Sequence, residues 1–356
     1  MRCAELRCPL LRGARTLMTI DLRSDTATRP TALMLARMAD AEIGSYVFGD
    51  DPESARLERE AAVLLGHEAA IFLPTATMAN QVALAVHLRP GEEFIVASNS
   101  HVLVAEGGGP AAVAGAMPRA INCLDGVLQP QEIRACFAQT RRLPQLLWIE
   151  NTHTRGGGTV TDVQHVEEYA VIVRLYGASL HVDGARLVNA AVHLDVPVAH
   201  LSSPADSVTL SLNKALGAPV GAILAGSSEF IEQAHNVRIR LGGFWRKPGH
   251  MAAAGRVALQ TPRAVIRRDH AAAKRLAAAL ARIDGCTTAE PQTNIVLARF
   301  GSAQKAMRLR DSLAETGILV GMGDDLTLRL VTHYSADDQA INHVVSRLET
   351  WDARVA

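Results

Sequence analysis

Residues 207–225 read Ser-Val-Thr-Leu-Ser-Leu-Asn-Lys-Ala-Leu-Gly-Ala-Pro-Val-Gly-Ala-Ile-Leu-Ala. The β-branched run Ser207–Ser211 reads as a strand, and the apolar run Gly221–Ala225 reads as another. Between them a Gly/Pro turn carries Lys214. A lysine at the end of a buried element, with no acid beside it, loses hydration. Its pKa falls and its amine becomes nucleophilic. A lysine that merely leads its ammonium out of a strand end is the plainer reading of the same position. Only four of the 36 basic residues are lysines: Lys214, Lys247, Lys274 and Lys305. Lys274 and Lys305 fall in helical stretches among charged neighbours and read as solvent-facing. Lys247, in Trp-Arg-Lys-Pro-Gly, is a loop candidate for phosphate or substrate contact.

Outward from this stretch the chain alternates. Strands are expected at Ala70–Leu73, Glu93–Ala97, Gln145–Glu150 and Ser179–Val182, with helices at Glu53–Leu65, Met78–His87, Gln131–Thr140, Thr161–Tyr176 and Ser228–Arg240. Such alternation predicts an α/β fold with a mainly parallel sheet flanked by helices. The character changes near residues 250–262. Long Ala/Arg-rich helical segments follow, with strands near Gln292–Arg299 and Leu326–Val331, so a small C-terminal α+β domain is expected. The boundaries read as 18–255 for the large domain with its N-terminal segment and 256–356 for the small one. Residues 1–17 carry four arginines without an apolar core, and read as a tail or an upstream mis-start before Met18.

Composition narrows the function classes. The 356 residues are 48% hydrophobic, so disorder is excluded as the main state. Lys+Arg and Asp+Glu are 36 each, and no basic block occurs, so a nucleic-acid partner is not expected. No run of about 18 apolar residues appears, so no membrane span is expected. Five cysteines without a CxxC pair point to a reducing compartment, the cytoplasm. The histidines lack metal-ligand spacing, and no metal is expected.

Further elements place polar residues just after expected strands, on the side where α/β sheets bind ligands. In Leu-His-Val-Asp-Gly-Ala-Arg-Leu (180–187), Asp183 ends a strand and Arg186 follows. A buried carboxylate wants a cation; capping a helix is the simpler role. In Phe-Leu-Pro-Thr-Ala-Thr-Met-Ala-Asn-Gln (72–81), a helix start with free amides and the Thr75 and Thr77 hydroxyls suits a phosphate, and an ordinary threonine cap explains it equally. His101, in Ser-Asn-Ser-His-Val (98–102), and His153, in Glu-Asn-Thr-His-Thr (150–154), are candidates for stacking or proton transfer.

In order, the segments 21–30 (Asp-Leu-Arg-Ser-Asp-Thr-Ala-Thr-Arg-Pro), 48–52 (Phe-Gly-Asp-Asp-Pro), 74–81, 100–102, 150–153, 181–187 and 211–221 resemble the L-threonine aldolases. These are fold-type I pyridoxal 5′-phosphate enzymes of the β-eliminating lyase group. The resemblance runs over about residues 20 to 350. It implies cleavage of L-threonine or L-allo-threonine to glycine and acetaldehyde, with the cofactor as electron sink. It implies that Lys214 binds the cofactor covalently and that Asp183 pairs with its ring nitrogen. Arg186 would lie near its phenolic oxygen, and His101 would stack on the ring. Ala76 and Thr77 would form the phosphate cup. Ser24 and Arg329 would hold the substrate carboxylate, and His153, with His101, would take the β-hydroxyl proton. Arg246 would reach a neighbouring subunit's site, in a homodimer or homotetramer with shared active sites. The small-molecule amino acid would be the partner.

Several positions depart from the family pattern. Phe48 stands for a tyrosine, Ala76 for a glycine, Asn213 and Ala215 for the residues around the lysine, and Ile239 for a lysine. Leu-Gly-Gly-Phe-Trp-Arg-Lys-Pro-Gly (241–249) replaces a Gly-Gly-Gly-Met-Arg-Gln-type loop. These bulky residues raise the alternative of a related lyase or transaldolase acting on a bulkier β-hydroxy amino acid. A nucleotide-binding oxidoreductase is disfavoured, because no GxGxxG follows a first strand.

Overall fold

The computed structural model describes residues 19–139 and 142–351; the expected tail over 1–17 lies outside them. The strands, in chain order, are β1 (Ile20–Asp21), β2 (Ala69–Leu73), β3 (Glu93–Ala97), β4 (Met117–Ile121), β5 (Leu146–Glu150), β6 (Ser179–Asp183), β7 (Ser207–Ser211), β8 (Ala222–Gly226), β9 (Cys286–Thr288), β10 (Ile295–Phe300), β11 (Ile318–Leu319), β12 (Gly321–Asp324) and β13 (Thr327–Val331).

Seven of them form one sheet in the order β2-β8-β7-β6-β5-β3-β4. β4, β3, β5, β6 and β7 pair in parallel along the sheet, and β8 runs antiparallel to both β7 and β2. Its reversal has a simple cause: the 212–221 connection is too short for a helical crossover, which a parallel pair requires. Every residue of β5, β7 and β8 is buried, as expected of strands covered by helices on both faces. β4 was not legible in the sequence. It is a mostly exposed edge strand containing Pro118, whose missing N–H is tolerated only at such an edge.

Helix ends follow their capping residues. Asp51 accepts from the Ser54 amide to start Pro52–Leu65, and Gly66 ends that helix at φ 69°. Thr75 accepts from the Met78 amide at 3.0 Å, so the next helix starts at Ala76, two residues earlier than expected.

The smaller sheet, β12-β13-β10-β9, is antiparallel. It packs against the helices Arg263–Leu280, Ala303–Glu315 and Asp338–Glu349 around a core that includes Leu276, Val296, Leu309, Leu330 and Val344. β1 pairs in parallel with β11, which places Ile20 and Leu22 in this C-terminal core. The start of the described chain therefore lies against the small unit and lays Ser24 and Asp25 along the cleft between the two units. Among the described residues no helix is long and apolar enough to cross a membrane.

Candidate active site

Because β2, β3, β5, β6 and β7 run the same way, their carboxyl ends share one edge of the sheet. Ala76 and Thr77 follow β2, His101 follows β3, His153 follows β5, Asp183 ends β6 and Lys214 follows β7. Residues far apart in sequence thus meet where open α/β sheets bind ligands.

The Lys214 side chain makes no hydrogen bond or ion pair with any described residue, whereas Lys274 pairs with Glu290 and Lys305 with Asp284. Burial lowers the Lys214 pKa, helped by the charge of Arg186, while Asp25, Asp183 and Glu150 oppose the shift. Asp183 is buried. Its Oδ2 accepts from Asn80 Nδ2 at 2.9 Å, and its Oδ1 accepts from the Ala185 amide at 3.2 Å. Burial, reinforced by Glu150 and Glu106, pushes its pKa up to about 6. Both bonds come from neutral donors, so the carboxylate lacks the cation a buried charge requires.

Three further carboxylates organise the site. Glu106 accepts from Asn80 Nδ2 at 2.8 Å and from Gln81, so the Asn80 amide bridges Glu106 and Asp183. Glu150 accepts from the His101 amide and from the Thr154 amide, both at 2.8 Å, and so staples the loops after β3 and β5 together. Burial would raise Glu150, but His153 and those amide donors prevail and its pKa is lowered. Asp25 receives Arg186 Nε at 2.7 Å and Nη2 at 2.8 Å. Burial alone would raise Asp25, yet this guanidinium holds it down at about 2.

The two histidines differ in what their ring nitrogens can do. His101 Nδ1 meets Glu106 Oε1 at 3.0 Å, which raises its pKa against the opposing effect of burial. A proton held between Nδ1 and Glu106 leaves Nε2 with a free lone pair on a half-buried ring. His153 is buried, and its Nδ1 accepts from the Gly156 amide at 3.0 Å. When neutral it must carry its proton on Nε2, which lies 3.7 Å from Glu150. Gly126 is pressed onto this ring: at φ 81°, an added Cβ would stand 2.1 Å from His153 Cγ.

On the small-unit side, Arg329 Nη2 donates to the Arg23 carbonyl at 3.2 Å, and its Nε is buried without a partner. Ser24 lies next to it in chain and caps a short helix by accepting from the Thr26 amide at 3.2 Å. Arg186 Nη1 also donates to Thr154 Oγ1 at 3.0 Å, which ties it to the β5 loop. Arg246 is exposed on the turn between the helices Ser228–Arg240 and Gly249–Leu259, and makes no hydrogen bond or ion pair with the other candidates. Trp245 stacks on Phe72 at 5.0 Å, and Phe48 and Phe244 border a different cavity around Arg238. Asp25, Asn80, Glu106 and Glu150 were not singled out as functional from sequence. Asp25, Asn80 and Glu150 sit in the quoted motifs, but their partners are set by long-range contacts.

The residues fit pyridoxal phosphate. An unpartnered amine lies near enough to feel the charge of a buried acid whose hydrogen-bond donors are all neutral. The helix Ala76–His87 leaves the amides of Ala76 and Thr77 free at its positive end, as a phosphate requires. Asn80, which holds Asp183, is one turn (about 5.4 Å) along that helix from Ala76 and Thr77. Phosphate cup and acid are thus fixed by the same rigid element.

Known proteins resemble this chain in sequence and fold. Residues 21–302 match the model of the beta-eliminating lyase family. The chain is 39% identical to low-specificity L-threonine aldolase 1 of Arabidopsis thaliana over 341 residues, covering 93% of this chain and 95% of that one. The solved threonine aldolase of Leishmania major superposes with a TM-score of 0.80 at 21% identity, covering 93% and 98%. A solved structure of SPT with pyridoxal phosphate superposes with a TM-score of 0.72 at 18% identity, covering 93% and 86%. The chain belongs to the beta-eliminating lyase family, in its L-threonine aldolase branch.

Proposed function

We propose that this chain is a pyridoxal-phosphate-dependent carbon–carbon lyase that cleaves L-threonine and L-allo-threonine to glycine and acetaldehyde. One observation carries the reading: the unpartnered Lys214 amine lies near enough to feel the charge of buried Asp183, which Asn80 ties to the helix whose first amides are free. When bound, the cofactor supplies the electron sink for the pair released by Cα–Cβ cleavage.

The chain's residues do the rest. Asp183 keeps a ring nitrogen protonated, and bringing a cation beside it relieves the burial that raises its pKa. Arg329 offers its partnerless Nε, with the Ser24 hydroxyl, to the substrate carboxylate. Charge-assisted bonds of this kind contribute roughly 1.5–3 kcal/mol each. Arg186, neutralised by Asp25 and tied to Thr154, would stand near the cofactor's phenolic oxygen. His101 accepts the β-hydroxyl proton at Nε2, and its bond to Glu106 raises its basicity. His153 fixes the loop after β5, with its Nε2 3.7 Å from Glu150.

Free Cys123, Cys136 and Cys286 support a cytoplasmic setting. The exposed Arg246, near the 82%-exposed Phe48, supports a homodimer or homotetramer in which this turn reaches a neighbour's site. The test is acetaldehyde and glycine release from both threonine isomers by the cofactor-loaded protein. Stoichiometric release of both products is expected. A loaded protein that releases neither overturns the reading.

A further inference from the structure

The cleft carries one cation that the reaction above does not use. A cavity of about 380 Å³ opens between the two units, with Asn99, Thr154 and Arg155 on one wall and Leu297, Met322 and Arg329 on the other. That volume is within the usual range of small-molecule sites, about 300–1,000 Å³. Asn99 stands two residues before His101, and Thr154 and Arg155 directly follow His153. A substrate whose carboxylate lies on Arg329 and whose hydroxyl faces His101 therefore sends any further group on Cβ along the Asn99–Arg155 wall.

The charges of this cavity do not balance. Its lining holds Arg155, Arg299 and Arg329 against a single acid, Asp324. Asp324 is matched to Arg299 at 3.6 Å. Arg329 is matched in the proposed reaction by the substrate α-carboxylate. Arg155 makes no hydrogen bond and no ion pair with any described residue. It stands close enough to Arg329 to add to the lowering of that group's pKa, which burial leads. The methyl group of threonine would leave the Arg155 charge unanswered.

We infer that the cleft is built for β-hydroxy-α-amino acids bearing a second carboxyl group on Cβ, with Arg155 as the residue that selects it. The inference rests on the aldolase reading and names its substrate class. The smallest such substrate is 3-hydroxyaspartate. Its cleavage balances without any oxidant. The Cα–Cβ bond breaks, the hydroxyl proton leaves as the aldehyde of glyoxylate forms, and Cα takes a proton to give glycine. Arg155 pairs with the carboxylate that becomes the acid group of glyoxylate, through its planar fork of donors.

The test uses the cofactor-loaded protein with threonine and with the threo and erythro isomers of 3-hydroxyaspartate, reading kcat/KM for glycine formation. The expected ratio of kcat/KM, better hydroxyaspartate isomer over threonine, is above one in the natural protein. It falls at least about tenfold in Arg155→Gln, through KM, and is largely kept in Arg155→Lys. A ratio that stays the same in Arg155→Gln, or threonine cleavage with no hydroxyaspartate cleavage, overturns the inference and leaves the aldolase reading standing. Cleavage of no β-hydroxy amino acid overturns both.

Discussion

The helix Ala76–His87 lies along the sheet and touches two buried polar clusters, one at each end. At its start Asn80 meets Asp183 and Glu106, which in turn holds His101. At its finish His87 Nε2 meets Ser207 Oγ at 2.7 Å, and the same hydroxyl meets His181 Nδ1 at 2.7 Å. His181 and Asp183 are alternate residues of β6, so both clusters sit on one face. Yet their imidazoles behave oppositely. Glu106 raises the pKa of His101, whereas burial pushes His87 down to about 4 and His181 well below its ordinary value. A carboxylate partner makes a buried histidine a proton carrier. A hydroxyl partner, which can donate to one ring and accept from the other, only satisfies neutral rings. The chemistry therefore belongs to one end of this helix and the other end is packing.

The largest expected effect comes from removing charge at the active end. Asp183→Asn keeps the shape and its bond to the Ala185 amide but cannot hold a ring nitrogen protonated. A fall of about 10²–10³-fold in kcat is expected, by steady-state kinetics at saturating cofactor. A loss under threefold would mean that the acid is not the ring's partner.

Glu106→Gln sharpens the comparison by making the His101 end resemble the His87 end. His101 must be neutral to accept a proton, and Glu106 raises its pKa. The acid limb of the kcat/KM profile is expected to move to lower pH in the variant, while the plateau falls about tenfold because the base is weaker. An unmoved limb would place the titrating group elsewhere.

The smallest effect concerns stability at the neutral end. His87 has a folded pKa near 4 against 6.5 for an ordinary histidine. Its contribution is complete above pH 6.5 and is lost as pH falls from 6.5 towards 4, because the unfolded chain takes up the proton first. The loss is on the order of 3 kcal/mol. In His87→Leu, denaturant midpoints between pH 7 and 4 should depend on pH less steeply, by up to one proton. An equal slope in both proteins would show that this histidine is not the acid-sensitive group.

The strand ends were legible because each carries a local signal: an apolar run, then a polar residue or glycine. That placed Lys214, Asp183, His101 and His153 on one edge before any tertiary contact was known. The edge strand β4 left no such signal, since Pro118 and exposed neighbours blur its pattern. Asp25 and Arg186 are 161 residues apart, and Asn80 and Asp183 are 103 apart. No spacing rule joins such pairs; the sheet order does. The different offices of His101 and His153 likewise depend on which ring nitrogen a distant carboxylate or a nearby amide occupies.

The proposed chemistry depends most on Lys214 being the amine that holds the cofactor. Borohydride reduction of the loaded protein, followed by peptide mass mapping, reads this directly. A single pyridoxyl-phosphate adduct on the peptide carrying Lys214 is expected, and none in Lys214→Ala. An adduct on Lys247, or cofactor retained with no lysine modified, would contradict it.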